Sequence, residues 1–308
     1  MPLLRSTLIA LSRSSSLRRF MENSTLGGKM SSRFVAGTTV EQALEAAASV
    51  NRQRMSVSLD SLGENVRSPQ EARLAADVYH RLLDAIQQRR LDANVSVKLT
   101  QMGMDLDPEL ALSLTAGLVD HAVAANTFVR VDMEGSAYTQ ATVDLVLRLH
   151  ATSSNQGHVG VVIQAYLYRS KADIDRLLAD GIRIRLCKGA YQEAPDLAFP
   201  DKADVDRNFV RLMQLLLPSG IYHGIATHDE EMIEATRQFA KERGIRPDEF
   251  EFQMLYGVRR DLQRSLVAAG YRVRVYIPFG TDWYPYFMRR LAERPANLLF
   301  IARNFFRQ

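Results

Sequence analysis

Eight short apolar runs, separated by stretches of helical pattern, limit what this chain can fold into more than any other feature. The runs lie near residues 55–59, 95–99, 128–133, 159–165, 182–187, 224–227, 250–255 and 273–277, and they recur roughly every 23 to 41 residues. That interval is the length of a strand plus a crossover helix. Ser68-Pro69 predicts a helix over 69–89 and Asp107-Pro108 one over 108–124. In each, a capping oxygen precedes proline at the first helical position, where its missing N–H costs nothing. Further helices are expected over 139–150, 171–179, 204–217, 230–243 and 259–268. Gly181, Gly220, Gly244 and Gly270 stand where helices should stop before the next strand. A continuous series of this kind predicts an α/β fold, a (β/α)8 TIM-type barrel. The alternative is a doubly wound open sheet, which calls for a G-x-G-x-x-G turn after the first strand; none is present.

The barrel is assigned to residues 46–308 and an N-terminal helical arm to residues 1–45. Residues 1–33 are rich in Arg and Ser, with Glu22 their only acid. This is also the composition of a mitochondrial transit peptide. We favour the arm, with Leu3, Leu4, Leu8 and Leu11 as its apolar stripe, and hence a cytoplasmic protein. Cys187 is the only cysteine, which excludes an internal disulfide and a cysteine-built metal site and fits a reducing compartment. The six histidines show no metal-ligand spacing, so no metal is expected. The net charge of +4 is spread along the chain without a basic tract, which argues against nucleic acid as a partner. No apolar run reaches the roughly 18 residues that span a bilayer.

Barrels of this type place their chemistry at the C-terminal ends of the strands. Those ends are polar here. They carry Lys98 and Thr100, Asp132 and Glu134, Gln164 and Tyr166, Arg185 through Tyr191, Thr227 and His228, Gln253 and Leu255, and Tyr276. Lys98 and Asp132 end consecutive strands. They either pair with each other or face a zwitterionic ligand. Arg185 shares the inward face of its strand with Cys187, and a buried guanidinium needs an acceptor, such as a flavin or a phosphate. Beyond the eighth run, Tyr286, Arg289, Arg290 and Glu293 fall at i, i+3, i+4 and i+7, on one helical face. Two guanidiniums on such a face suit bidentate binding of a carboxylate. The same spacing also describes a solvated face with local ion pairs.

The segments VKLTQMG, VDMEG, IQAYL, RLCKGAY, ATHD, QMLYG and VYIPFG, with the helix Y-x-x-R-R-x-x-E, resemble proline dehydrogenase, the flavin-dependent barrel enzyme that also occurs as one domain of bifunctional proline-utilisation proteins. The resemblance covers about residues 50 to 295 and follows the family's order of motifs. It implies FAD, oxidation of L-proline to 1-pyrroline-5-carboxylate, electron transfer to a membrane quinone, and a peripheral contact with the inner face of the membrane. By position, Lys98, Arg289 and Arg290 match the binders of the proline carboxylate. Tyr276, Tyr286 and Leu255 match the walls of the ring pocket, which Asp132 and Tyr191 also line. Arg185 matches the residue beside flavin N5. With Lys98 and Asp132 it makes up the expected catalytic set. Gln164, Cys187, Lys188, Gly189, Ala190, Thr227 and His228 resemble the FAD-contacting set, and Glu293 the acid that steadies the arginine helix. Cys187 in place of valine, Gln192 in place of tryptophan and Gly135 in place of an acid depart from the pattern. Tyr276, in place of a small residue, implies a pocket that prefers proline to hydroxyproline. Read without the resemblance, the same strand ends also fit a Schiff-base lyase using Lys98 or Lys188, a barrel that only binds an anionic metabolite, or another flavin barrel such as a folate reductase.

Overall fold

The computed structural model describes Met21 and residues 32–191 and 193–293, with the side chains of Ser153 and of residues 289–293 outside the description. Residues 1–31, apart from Met21, therefore lie outside it, and with them the stripe expected for the arm. In chain order the elements are α1 (Val40–Asn51), β1 (Ser56–Ser61), α2 (Pro69–Arg89), β2 (Ala93–Val97), α3 (Pro108–Ala124), β3 (Val129–Val131), α4 (Ser136–His150), β4 (Val159–Gln164), α5 (Ser170–Ala179), β5 (Arg183–Cys187), α6 (Lys202–Leu216), β6 (Gly224–Ala226), α7 (Glu230–Glu242), β7 (Glu251–Leu255), α8 (Arg260–Ala268), β8 (Arg272–Phe279) and α9 (Trp283–Glu293). The strands form one closed parallel barrel in sequence order, and β8 pairs with β1 from Ser56↔Arg274 to Ser61↔Phe279.

The eight apolar runs are the eight strands. Ser68 Oγ accepts from the Glu71 N–H at 3.2 Å and Asp107 Oδ1 from the Glu109 N–H at 2.9 Å, so both proline-headed helices start where the sequence places them. The four glycines expected at helix ends all take positive φ, between 67° and 86°. α4 starts at Ser136, ahead of the expected residue 139, because Gly135 serves as its N-cap in extended conformation. α1 runs unbroken through residue 45 and packs against β8 and β1, covering the seam where the barrel closes.

The strands are two-faced. One row, including Val57, Val95, Val131, Val161, Ile184, Phe252 and Val275, is fully or almost fully buried in the main apolar core with residues of the surrounding helices. Each such side chain contributes about 1.5–3 kcal/mol of transfer free energy. The other row faces the barrel axis and is polar: Ser58 and Asp60, Asn94 and Ser96, Arg130, Arg185, Glu251 and Gln253, and Arg274 are all buried. Alternation along a strand puts residues two apart on one face, so the polar half of each run is carried inward together. α9 belongs to a separate apolar cluster in which Trp283, Tyr284, Tyr286, Phe287 and Met288 pack with Phe34, Val35 and Leu62.

Candidate active site

A cavity of about 410 Å³ opens at the C-terminal ends of the strands. Every strand supplies part of its wall: Asp60 from β1, Lys98 just after β2, Asp132 just after β3, Gln164 from β4, Arg185 and Cys187 from β5, Thr227 and His228 after β6, Gln253 and Leu255 from β7, and Tyr276 from β8. Lys188, Gly189, Ala190 and Tyr191 form the loop edge, and Tyr286 of α9 closes one side. All the expected site residues with described side chains thus meet in one cavity. Arg289, Arg290 and Glu293 lie on the last turns of α9, and their side chains are outside the described residues.

Four charged groups form the floor. Lys98 Nζ donates to Asp60 Oδ1 at 2.7 Å and stands 4.0 Å from Asp132 Oδ2. The partner of Lys98 is therefore chiefly Asp60, an acid that the sequence reading did not single out, with Asp132 in the next position. Burial opposes the charge on Lys98, but Asp60 and Asp132 outweigh it and hold the ammonium well above its ordinary range. Burial pushes the Asp60 carboxyl up despite Lys98, and the charge on Asp132 adds to the rise. Asp60 Oδ2 is buried without a hydrogen-bond partner among the described residues.

Arg185 is the hub. Nη1 donates to Asp132 Oδ1 at 2.8 Å and to Ser96 Oγ at 3.2 Å, Nη2 to Ser58 Oγ at 3.2 Å, and Nε to Gln253 Oε1. The acceptor that a buried guanidinium requires is thus supplied by the protein, through Asp132 and three neutral side chains. Tyr276 stacks under Arg185, ring centroid to Cζ 5.1 Å, and its hydroxyl donates to Asp132 Oδ2 at 2.7 Å. Enclosure and the neighbouring Asp132 carboxylate raise the phenol well above its ordinary range, so Tyr276 is a hydrogen-bond donor. Asp132, which also accepts from Ser96 Oγ at 3.0 Å, is fixed from three sides.

The opposite wall is held by other partners. Gln164 Nε2 donates to the Glu134 carbonyl at 2.8 Å, and the Glu134 carboxylate accepts from Thr100 N–H and Oγ at 3.1 and 2.6 Å. Lys188 pairs with Asp206 and, at 2.7 Å, with Asp229; burial opposes ionisation of both acids, but Lys188 and Lys202 hold them below the usual carboxylate range. His228 Nε2 accepts from the Leu255 N–H at 2.9 Å, which assigns the ring proton to Nδ1 in the neutral form. Gly189 has φ +109°, and a Cβ there would lie 2.3 Å from Cδ1 of Tyr166. Only glycine lets this loop close over the tyrosine.

Asp60, Glu64 and Asp229 line the cavity but were not among the expected site residues, and Gln253, expected only as a polar strand end, lines it with them. Asp60 ends an apolar run as Lys98 does, so its position relative to the strand was the available signal. The partners of Lys188 lie 18 and 41 residues away; Asp229 closes the ATHD segment, but nothing in the local sequence marks Asp206.

Comparison with known proteins points to one family. The family model for proline dehydrogenase matches residues 43–303. Proline dehydrogenase 1 of Bacillus subtilis subsp. natto is 40% identical over 303 residues, covering 98% of each chain. Proline dehydrogenase of Deinococcus radiodurans is 42% identical over 279 residues, covering 89% of each. Among solved structures, proline utilization A from Bdellovibrio bacteriovorus, inactivated by N-propargylglycine, superposes with a TM-score of 0.81 at 25% identity over 87% of this chain; the chain spans about a third (33%) of that larger protein.

Proposed function

The chain belongs to the proline dehydrogenase family, as an oxidoreductase acting on the CH–NH bond of proline in the first step of proline catabolism, and from that premise we propose that it oxidises L-proline to 1-pyrroline-5-carboxylate with FAD and passes the electrons to a membrane quinone. The observation that carries this reading is the arrangement of Lys98, Asp60, Asp132, Arg185 and Tyr276 at one end of the barrel axis.

The residues present fit a flavin. Arg185, Lys188, Gln164 and Thr227 bring cations and polar side chains to one wall of the cavity, beside the loop that Gly189 lets close over Tyr166. Bound there, FAD would supply the hydride acceptor for the ring carbon beside the proline nitrogen. In our reading Gln164, Cys187, Lys188, Gly189, Ala190, Thr227 and His228 hold the cofactor, and Glu293 steadies the arginine helix.

The protein's own task is to receive a zwitterion and remove it from water. Lys98, Asp60, Asp132 and Arg185 together are formally neutral. A substrate carboxylate bound against them needs further positive charge, which we assign to Arg289 and Arg290. Each charge-assisted hydrogen bond to it contributes about 1.5–3 kcal/mol. Tyr276, Tyr286 and Leu255 wall in the ring and Tyr191 closes the loop side. Enclosure disfavours the charged amine, so the proton leaves before the lone pair is needed. Asp60 Oδ2, buried, unpartnered and on an acid of raised affinity for protons, is a place where that proton can rest. Arg185, fixed by four side chains, brings positive charge to the reacting centre without further reorganisation.

The deciding experiment is a visible spectrum of the purified protein followed by anaerobic addition of L-proline. A flavin spectrum that proline bleaches is expected. A flavin-loaded protein whose spectrum proline leaves unchanged overturns the assignment. Quinone-dependent reoxidation then tests the acceptor.

A further inference from the structure

The other end of the barrel axis carries a second group of charges that the active site does not use. A cavity of about 650 Å³ opens among the N-terminal ends of the strands, lined by Arg90, Arg183, Arg274, His158 and Phe128 among others. One acid, Asp92, also lines it, so three guanidiniums face it with a single carboxylate. Arg274 is satisfied: Nε donates to Glu251 Oε1 at 2.7 Å, and Nη1 to the Val57 carbonyl at 2.9 Å and to Asn94 Oδ1 at 3.0 Å. Arg183 is not. Among the described residues its one hydrogen bond as donor is to the Gly157 carbonyl at 3.3 Å, and it pairs with no carboxylate. Its guanidinium lies between the rings of Phe128 and Tyr222, 4.7 and 5.1 Å from their centroids.

Behind it sits Arg130, 2% exposed, 5.3 Å from the same Phe128 ring. Its Nη1 donates to the carbonyls of Val161 and Arg183 at 3.1 and 2.6 Å, its Nε is buried without a partner, and it too meets no carboxylate among the described residues. Space for it is built in. A Cβ on Gly160 would lie 2.6 Å from Arg130 Nη1 and 2.5 Å from the Arg183 carbonyl. Glu251, held by Arg274, is the single buried acid against these cations. A buried guanidinium without a counter-charge is costly, and a fork of arginines with open donors is the arrangement that binds planar or tetrahedral oxyanions.

We propose that this cavity binds a small oxyanion, a phosphate group or a multivalent carboxylate, with Arg183 as its principal ligand and Arg90, Arg274 and His158 around it. His158 Nδ1 donates to the Thr127 carbonyl at 2.6 Å, which leaves Nε2, an acceptor in the neutral ring, for a hydroxyl of the bound anion. The inference is independent of the flavin reading, because none of these residues touches the catalytic cavity.

The test is thermal unfolding of the flavin-loaded enzyme titrated with inorganic phosphate and, separately, with citrate, each against sodium chloride at equal ionic strength. We expect a saturable rise in the unfolding midpoint beyond the chloride control, with the apparent affinity weakened at least about tenfold in Arg183→Gln. Arg90→Gln, at an exposed position, keeps the test open should Arg183→Gln fold poorly, and it should weaken the same anion. The relative response to phosphate and citrate identifies which oxyanion the site prefers. A midpoint that follows ionic strength alone, or an anion response unchanged in both variants, overturns the proposal.

Discussion

Replacing Arg185 with lysine keeps the charge and removes the fork. The guanidinium reaches Asp132, Ser96, Ser58 and Gln253 through three nitrogens, and so joins side chains from β1, β2, β7 and the end of β3. A single ammonium can hold Asp132 but not Ser58 and Gln253 on opposite sides at once. Losing two bonds to a charged donor costs about 1.5–3 kcal/mol each, and the cavity lets water replace part of them, so about 3 kcal/mol is expected. For a chain of this size that lowers the thermal midpoint by about 5 °C. Arg183→Lys is the internal control, since Arg183 donates one long hydrogen bond, to Gly157, and its replacement should cost under about 1 kcal/mol. Denaturant midpoints of parent and both variants give the stabilities, and proline-dependent dye reduction gives kcat/KM. Under the proposed function Arg185→Lys also lowers kcat/KM at least about tenfold, because a wandering ammonium no longer presents charge at one point. Equal losses of stability in Arg185→Lys and Arg183→Lys would refute the idea that the fork ties the strands together. Unchanged kcat/KM in Arg185→Lys would remove Arg185 from the reaction.

His223, fully buried, accepts from the Ile184 N–H at 3.0 Å, and burial brings its pKa down to about 3. The folded state keeps it neutral while the unfolded chain takes up a proton below about 6.5, so its contribution is complete above that pH and is lost as pH falls toward 3, at about 1.4 kcal/mol per unit. His223→Asn should therefore flatten the stability profile between pH 6.5 and 4.5, and an unflattened profile assigns the acid limb to other groups. Gly189→Ala forces a Cβ into Tyr166 at a positive φ that costs about 1–3 kcal/mol, and it should reduce the flavin absorbance retained through gel filtration. Full retention would show that the loop does not close on the cofactor.

Much of the fold and of the site is legible in the sequence. Val129, Val131, Ile184 and Leu186 alternate with Arg130, Asp132, Arg185 and Cys187, so the pattern that located the strands also sorted their faces. Strand polarity then placed Lys98, Asp132, Gln164, Thr227 and Tyr276 at one end. Pairing across the axis was not legible. Lys98 lies closer in sequence to Asp132 than to Asp60, yet its 2.7 Å contact is with Asp60, which follows from the register of β1 on β2 and the reach of the side chain. Arg185 called for an acceptor, but that the acceptor is Asp132 depends on how β3 and β5 face each other across the closed barrel. The second arginine group escaped notice for the same reason. Arg130, Arg183 and Arg274 lie on three different strands, and only closure brings them to one ring, Phe128.

Because each strand gives one row of side chains to the helices and the other to the axis, folding and chemistry draw on different halves of the same eight segments. A new substrate could be accommodated by rewriting the inner row while the valines and isoleucines of the outer row stay in place. Six charges of the inner row, though, are written in couples, Lys98 with Asp60, Arg185 with Asp132 and Arg274 with Glu251, while Arg130 and Arg183 stand outside them. Exchanging one member strands a charge in a space with little water, whereas exchanging both leaves the balance intact. Routes from this barrel to a relative with another specificity should therefore run through paired replacements, and single replacements along the axis should be the ones that fail.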